Sequence, residues 1–242
     1  MFQFMAYSPH FLLLLLHLIL LFTSCFSATP YSDSTLKDHA SVELDGNAQR
    51  VELSVYYEAL CPYCGNFILN QLVELFKTDI AQIVDLRLVP WGNASLKNKF
   101  EITCQHGPDE CRLNTIEACV IKTWPDFRRH YGMIHCIERL VFTQKENKLQ
   151  SCFGSINEWQ TLHKCYNSGL GTQLDLKYAD ETTHLNPPLQ FVPWVVVNGH
   201  ALMDDYGNFL AYICKVYSGP KPDGCRSIQQ KINSADKVQQ KP

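Results

Sequence analysis

Two cysteines with two residues between them, Cys61-Pro62-Tyr63-Cys64, carry the most direct chemistry in this 242-residue sequence. Such a pair can be a redox couple, half of a zinc site, or two structural cysteines. Zinc usually draws on a second C-x-x-C or a close histidine pair. The chain has no second C-x-x-C and its nine histidines are scattered, so no metal site is expected. Placement favours the redox use over the structural one. The pair follows an alternating stretch and opens a helical one, so Cys61 meets unpaired backbone N–H groups and the positive end of a helix, which favour thiolate over thiol. Cys64, one turn on, can close a small ring. Cys61 then attacks a substrate disulfide, and Cys64 releases the product from the mixed disulfide. Pro62 fits the first helical turn, where a missing N–H costs little. In an acidic vesicle the placement matters most. At pH 5 a thiol of pKa near 8.5 is only about 0.03% ionised, and one of pKa near 5 is about half ionised. Lower intrinsic nucleophilicity returns roughly half of that gain on a log scale.

The surrounding pattern supplies the elements that must hold this pair. Val51, Leu53, Val55 and Tyr57 alternate with Glu52, Ser54 and Tyr56, a strand period. Ile68, Leu72, Leu75, Phe76 and Ile80 recur at helical spacing, which predicts a helix over roughly 62–80. Val84, Leu86 and Leu88 alternate again, completing a βαβ unit. Residues 100–180 hold six cysteines and helix-compatible stretches around 110–123, 126–143 and 156–168, a disulfide-tied helical insertion into the sheet topology. Strand signals return at 194–197, and Asn198-Gly199 before His200-Ala201-Leu202-Met203 predicts a hairpin. A last helix is expected over 206–217, and residues 226–242 read as a polar, frayed tail.

Composition narrows the function classes. Lys+Arg 21 against Asp+Glu 24 leaves a net charge of −3, with no electrostatic footprint for nucleic acid. Charged residues at 19% and aromatics at 12% argue against wholesale disorder. Residues 11–22 form an apolar run too short to span a bilayer, followed by small residues at Ser24, Cys25, Ser27 and Ala28; this predicts a signal peptide over 1–28. No Lys or Arg precedes the run, and an uncleaved anchor is the alternative. No later segment is apolar enough for stable membrane insertion. Residues 29–49 read as a polar leader or pro-segment, and 50–225 as the folded domain. Of the 11 cysteines, Cys25 lies at the expected cleavage site, which leaves an even number and points to an oxidising compartment. Structural disulfides are expected for Cys104, Cys111, Cys119, Cys136, Cys152, Cys165, Cys214 and Cys225, with Cys214 and Cys225 the most plausible local pair. Asn93-Ala94-Ser95 is a glycosylation sequon.

One longer motif identifies a relationship. Residues 104–119, CQHGPDECRLNTIEAC, resemble the signature CQHGxxECxxNxxxxC of the gamma-interferon-inducible lysosomal thiol reductase family, with every fixed position present. Tyr57-Glu58-Ala59-Leu60 before CPYC, and Val192-Pro193-Trp194 through Gly199, are also similar to that family. The resemblance implies a thioredoxin-like fold with a helical insertion, and reduction of protein disulfides by Cys61 and Cys64, optimally at acidic pH. It further implies processing at both chain ends. No cofactor is expected; the partners are disulfide-containing proteins and a small-thiol or protein reductant. The destination is the secretory pathway, whether secreted or lysosomal/vacuolar. In such a fold Pro193, in cis, would lie against the redox pair and hold a substrate strand; a trans proline opening a strand is the alternative. His106 could move protons or serve as a turn residue, and Glu58 could serve Cys64 or be an ordinary strand-end carboxylate. Two competing functions remain: a thiol oxidase or isomerase, separated by redox poise, and a secreted disulfide-rich binding protein in which CPYC is one more bridge.

Overall fold

A computed structural model of the chain describes residues 48–98 and 101–239. The expected signal peptide, the leader through residue 47 and the last three residues lie outside the described residues. Strand β1, Val51–Tyr57, is the inner strand on which the site is built. Parallel β2, Val84–Pro90, pairs along its whole length, from Val51 opposite Val84 to Tyr57 opposite Pro90. On its other edge β1 pairs antiparallel with Trp194–Val197, Tyr56 facing Trp194. A short hairpin of Ser95–Lys97 (β3) and Glu101–Thr103 (β4) stands apart, so Trp194–Val197 is β5 and His200–Ala201 is β6. The main sheet runs β2-β1-β5-β6. Asn198 and Gly199 take φ of 45° and 77° to make the β5–β6 turn.

With partners on both edges, β1 is buried on both faces, and not only on the apolar one that its alternation suggests. Val51, Leu53, Val55 and Tyr57 join one core cluster, while Tyr56 joins the other with Val89, Trp91 and Trp194. Tyr56 remains compatible with burial because its hydroxyl donates to Glu181 at 2.9 Å.

Helix α1 follows β1 and departs from the expected span. It is α-helical over Pro62–Asn66, π-helical over Phe67–Leu72 and α-helical again over Val73–Phe76. Ile80 keeps its apolar contact from a separate 3-10 turn, Asp79–Gln82, after Thr78 has become extended. The widened middle turn leaves the Ile68 carbonyl to accept a hydrogen bond from the Tyr131 hydroxyl at 2.9 Å.

The insertion contains one helix more than the three expected: α2 (Pro108–Thr123), α3 (Phe127–Phe142), α4 (Ile156–Asn167) and α5 (Leu170–Thr183). After β6, a 3-10 turn at Met203–Asn208 leads into α6, Phe209–Val216, whose Phe209 ring meets Phe67 edge-on at 5.5 Å. Residues 226–239, expected as a frayed tail, belong to a helix, α7, Asp223–Gln239. Its start is held from afar, which no local pattern reveals. The Asp79 carboxylate accepts the backbone N–H groups of Asp223 and Gly224, each at 2.8 Å.

Among the described residues, the eight cysteines outside CPYC form four bridges. Cys119–Cys165 ties α2 to α4, and Cys136–Cys152 ties α3 to the 3-10 turn Glu146–Cys152. Cys104–Cys111 closes the loop before α2, and Cys214–Cys225 joins α6 to α7. A bridge stabilises by an amount that grows with the logarithm of the loop it closes. For the 46-residue separation of Cys119 and Cys165 that is roughly 4 kcal/mol, against roughly 2.5 kcal/mol for the 7-residue separation of Cys104 and Cys111. Replacing both Cys119 and Cys165 with alanine should therefore lower Tm more than replacing both Cys104 and Cys111, by scanning calorimetry in one buffer; the reverse order would contradict this account.

Candidate active site

Cys61 and Cys64 are the free cysteines among the described residues. Cys61 ends the loop after β1 as the N-cap of α1, with Pro62 in the first turn, and Cys64 lies one turn further. Their exposure separates them: 6% for Cys61 and 0% for Cys64. So does their acidity. The Cys61 thiol is lowered to about 6, chiefly because the Cys64 side chain hydrogen-bonds to it. Burial opposes that shift, whereas the backbone N–H groups of Cys64 and Tyr63 and the charge of His106 add to it. Cys64 moves the opposite way, well above the ordinary range, through burial, that same hydrogen bond and the negative charge of Cys61. The helix start acts through two particular amides, and the partner thiol does more than either.

The signature residues pack around this pair. Asn114 on α2 accepts the Ala59 N–H at 2.9 Å, which fixes the loop entering CPYC. Glu110, in the first turn of α2, reaches back to the His106 backbone N–H at 3.1 Å and to His106 Nδ1 at 2.5 Å. Glu110 thus reaches past the N-cap, Gly107, to the residue before it, and the Cys104–Cys111 bridge closes the loop that carries His106. Glu58, wholly buried, lies with its Oε2 at 3.6 Å from the same His106 nitrogen. Burial drives Glu58 up to about 7; the Asn93 N–H opposes the shift, Glu110 and Cys61 add to it, and His106 opposes it. For His106 burial works downward, but the hydrogen bond and charge of Glu110, then Glu58 and Cys61, raise it above its ordinary value.

Glu58, His106 and Glu110 bring possible ligand atoms within 4.8 Å of one another. Two ligands around a tetrahedral zinc ion stand about 3.3 Å apart, whereas His106 Nδ1 and Glu110 Oε2 are 2.5 Å apart. That spacing is a shared proton's.

Other residues singled out from the sequence fall at definite places. The Val192–Pro193 bond is cis. Pro193 is buried one residue before Trp194, so it lies at the end of β1 that leads to Cys61. Asn93 is exposed, and its Nδ2 donates to Gln105 at 2.7 Å. Sequence reasoning did not single out Glu117 and Glu138, two buried carboxyls on α2 and α3. Glu117 accepts the Tyr57 hydroxyl at 2.5 Å, and Glu138 Oε2 lies 3.3 Å from where a Cβ on Gly65 would stand. Burial raises both. A glutamate four residues after Ile134 and next to Ile137, on the core side of an amphipathic helix, is the signal that could have found Glu138.

The comparisons with known proteins agree with one another. The family model for gamma interferon inducible lysosomal thiol reductase matches residues 52–156. A gamma-interferon-responsive lysosomal thiol protein of Arabidopsis thaliana is 35% identical over 223 residues, covering 90% of each chain. The chain belongs to this family. It is therefore a thiol–disulfide oxidoreductase, a thiol reductase. The gamma-interferon-inducible lysosomal thiol reductase of Mus musculus is 36% identical over 185 residues, 74% of this chain and 73% of its own. Among solved structures, Chlamydia trachomatis DsbA superposes with a TM-score of 0.50 at 15% identity, covering 88% of this chain and all of its own. Bacillus subtilis BdbD, oxidised, gives 0.50 at 17%, covering 68% and 86%. These two likenesses bear on the fold, which is thioredoxin-like with a helical insertion.

The raised carboxyls of this family member carry a consequence for stability. Glu58, Glu117, Glu138 and Asp175 all hold protons more tightly folded than unfolded. Their contribution is complete below the ordinary carboxylate range and fades as pH rises through the folded values, about 6 for Asp175 and about 7 for Glu58. Cys61, lowered to about 6, works oppositely, but only as pH rises from about 6 into the ordinary thiol range. The reduced protein should thus melt at a higher temperature at pH 5 than at pH 7. A higher Tm at pH 7 by calorimetry would contradict these assignments.

Proposed function

We propose that this chain reduces disulfides of protein substrates with Cys61 as the attacking sulfur and Cys64 as the resolving one, in an acidic compartment. The unlike acidity of the two sulfurs carries the reading: Cys61 lowered to about 6, Cys64 raised well above the ordinary range. Cys61 thiolate attacks a substrate disulfide, joins one substrate sulfur and expels the other. Cys64 then gives up its proton, attacks Cys61 and expels the second sulfur. Two electrons pass to the substrate, and a small thiol or protein reductant restores the dithiol. At pH 5 a thiol of pKa about 6 is about one-tenth ionised, against about 0.03% for an ordinary cysteine. The partial loss of nucleophilicity still leaves a gain on the order of tenfold.

Support for the acidic setting comes from the carboxyls that favour the fold at low pH, and from the lysosomal relatives. A signal peptide over 1–28 would take the chain into the secretory route, to a lysosomal or vacuolar compartment or to secretion. Among the described residues no helix is long and apolar enough to cross a membrane. The exposed Asn93 side chain suits glycosylation, and buried Pro193 suits a backstop for a substrate strand. The four bridges act as scaffold, outside the redox cycle.

Two variants test the assignment with a disulfide-containing protein as substrate. Cys61→Ser should lose reduction entirely. Cys64→Ser should accumulate a covalent adduct on Cys61, visible by mass spectrometry without reductant. Wild-type-like reduction by both variants would overturn the assignment.

A further inference from the structure

Resting on the dithiol reading above, we propose that Glu58 carries the proton that Cys64 must lose, and that His106, held by Glu110, connects Glu58 to solvent. Position comes first. The Glu58 backbone N–H bonds to the Cys64 sulfur, and its carbonyl accepts the Cys61 N–H at 3.3 Å. One residue thereby touches both ends of the redox pair. Its side chain has no exposure, its Oε1 accepts the Asn93 N–H at 2.5 Å, and its Oε2 meets no hydrogen-bond donor among the described residues. A buried carboxyl oxygen left open is costly unless a proton or a water fills the place.

The enclosure is tight. Gly92 adopts φ of +54°, and a Cβ there would stand 2.4 Å from Glu58 Cγ, so the backbone of the 91–93 loop lies directly on the carboxyl stem. Titratable groups face Glu58 from three sides: Glu110 from α2, Cys61 from the start of α1, and His106 from the signature loop. The widest opening to water is at the last, with 35% of the His106 side chain exposed, against 6% for Cys61 and none of the Glu58 or Glu110 side chains. Glu58 Oε2 to His106 Nδ1 is 3.6 Å, and His106 Nδ1 to Glu110 Oε2 is 2.5 Å. Protons can therefore enter at His106 while Glu110 fixes the ring.

The reaction needs such a group. Starting from Cys61 thiolate and Cys64 thiol, reduction of one disulfide yields two substrate thiols, so one proton comes from Cys64 and one from solvent. The first departing substrate sulfur takes a proton from the exposed His106 ring, which the Glu58 carboxyl resupplies, leaving a carboxylate. The carboxylate so formed then accepts the Cys64 proton, directly or through one water, as Cys64 sulfur attacks Cys61 and the mixed disulfide breaks. The second departing sulfur takes that proton, and the solvent-derived one arrives through His106. A carboxyl raised to about 7 can both donate and accept across the acidic range.

Rapid-quench kinetics on the reduced full chain would separate formation of the Cys61 mixed disulfide from its decay. With Glu58→Gln, decay should slow by about a hundredfold and lose its pH dependence near neutrality, while Glu58→Asp recovers part of the rate. His106→Asn, a change at a partly exposed position, should slow decay by about tenfold, with rescue by added imidazole. Decay at the wild-type rate and pH profile in Glu58→Gln overturns the proposal. So does equal slowing of formation and decay with a lowered Tm, the mark of a structural role. A wild-type chain that forms no Cys61 mixed disulfide refutes the dithiol reading itself, a result separable from either of these.

Discussion

A single thiol hydrogen bond, from Cys64 to Cys61, is the interaction on which the rest of this structure depends. It leads the lowering of Cys61 and adds to the rise that burial imposes on Cys64. The bond requires one helical turn between the sulfurs, one sulfur at the helix entrance and one beneath it. The N-cap position of Cys61 after β1, with Cys64 one turn on in α1, meets that requirement. The π-helical stretch beyond Cys64 then lets the helix continue over a core whose contacts include Tyr131 from the insertion.

The insertion is the site's outer wall. Asn114, Glu110 and Glu117 leave α2 toward Ala59, His106 and Tyr57, so three residues of one helix reach the loop, the ring and the strand that frame the dithiol. Bridges Cys104–Cys111 and Cys119–Cys165 bracket those residues in sequence, and Cys136–Cys152 fixes the helix that bears Glu138. Burying several carboxyls beside an anionic sulfur would be ruinous if all were ionised. The raised proton affinity of Glu58, Glu117 and Glu138 eases the conflict, since those three carboxyls are neutral in acid. The same arrangement ties the fold's stability to low pH.

Much of this is legible in the residues themselves. The βαβ unit follows from period-two and helical spacing between Val51 and Leu88, and the Asn198-Gly199 turn from the need for positive φ. The placement of Cys61 and Cys64 between strand and helix is equally local. What the sequence conceals depends on distance. Helix α7 begins under Asp79, 144 residues earlier in the chain, and no window around Asp223 shows that cap. α5 opens at Gly169 with φ of +79° directly after α4, so two helices read as one helix and a loop. Glu58 looks like any strand-end carboxylate until Gly92 and His106 close over it. The leading cause of Cys61 acidity is local but of another kind than helix position suggests: the buried partner thiol, three residues on, outweighs the backbone amides.

The most direct test of that central bond is a pH titration of iodoacetamide alkylation on the reduced wild-type chain, with labelled residues assigned by mass spectrometry. Labelling should begin at Cys61 with a midpoint near 6, while Cys64 stays unlabelled well past the ordinary thiol range. Midpoints near about 8.5 for both sulfurs, or prior labelling of Cys64, would contradict the account.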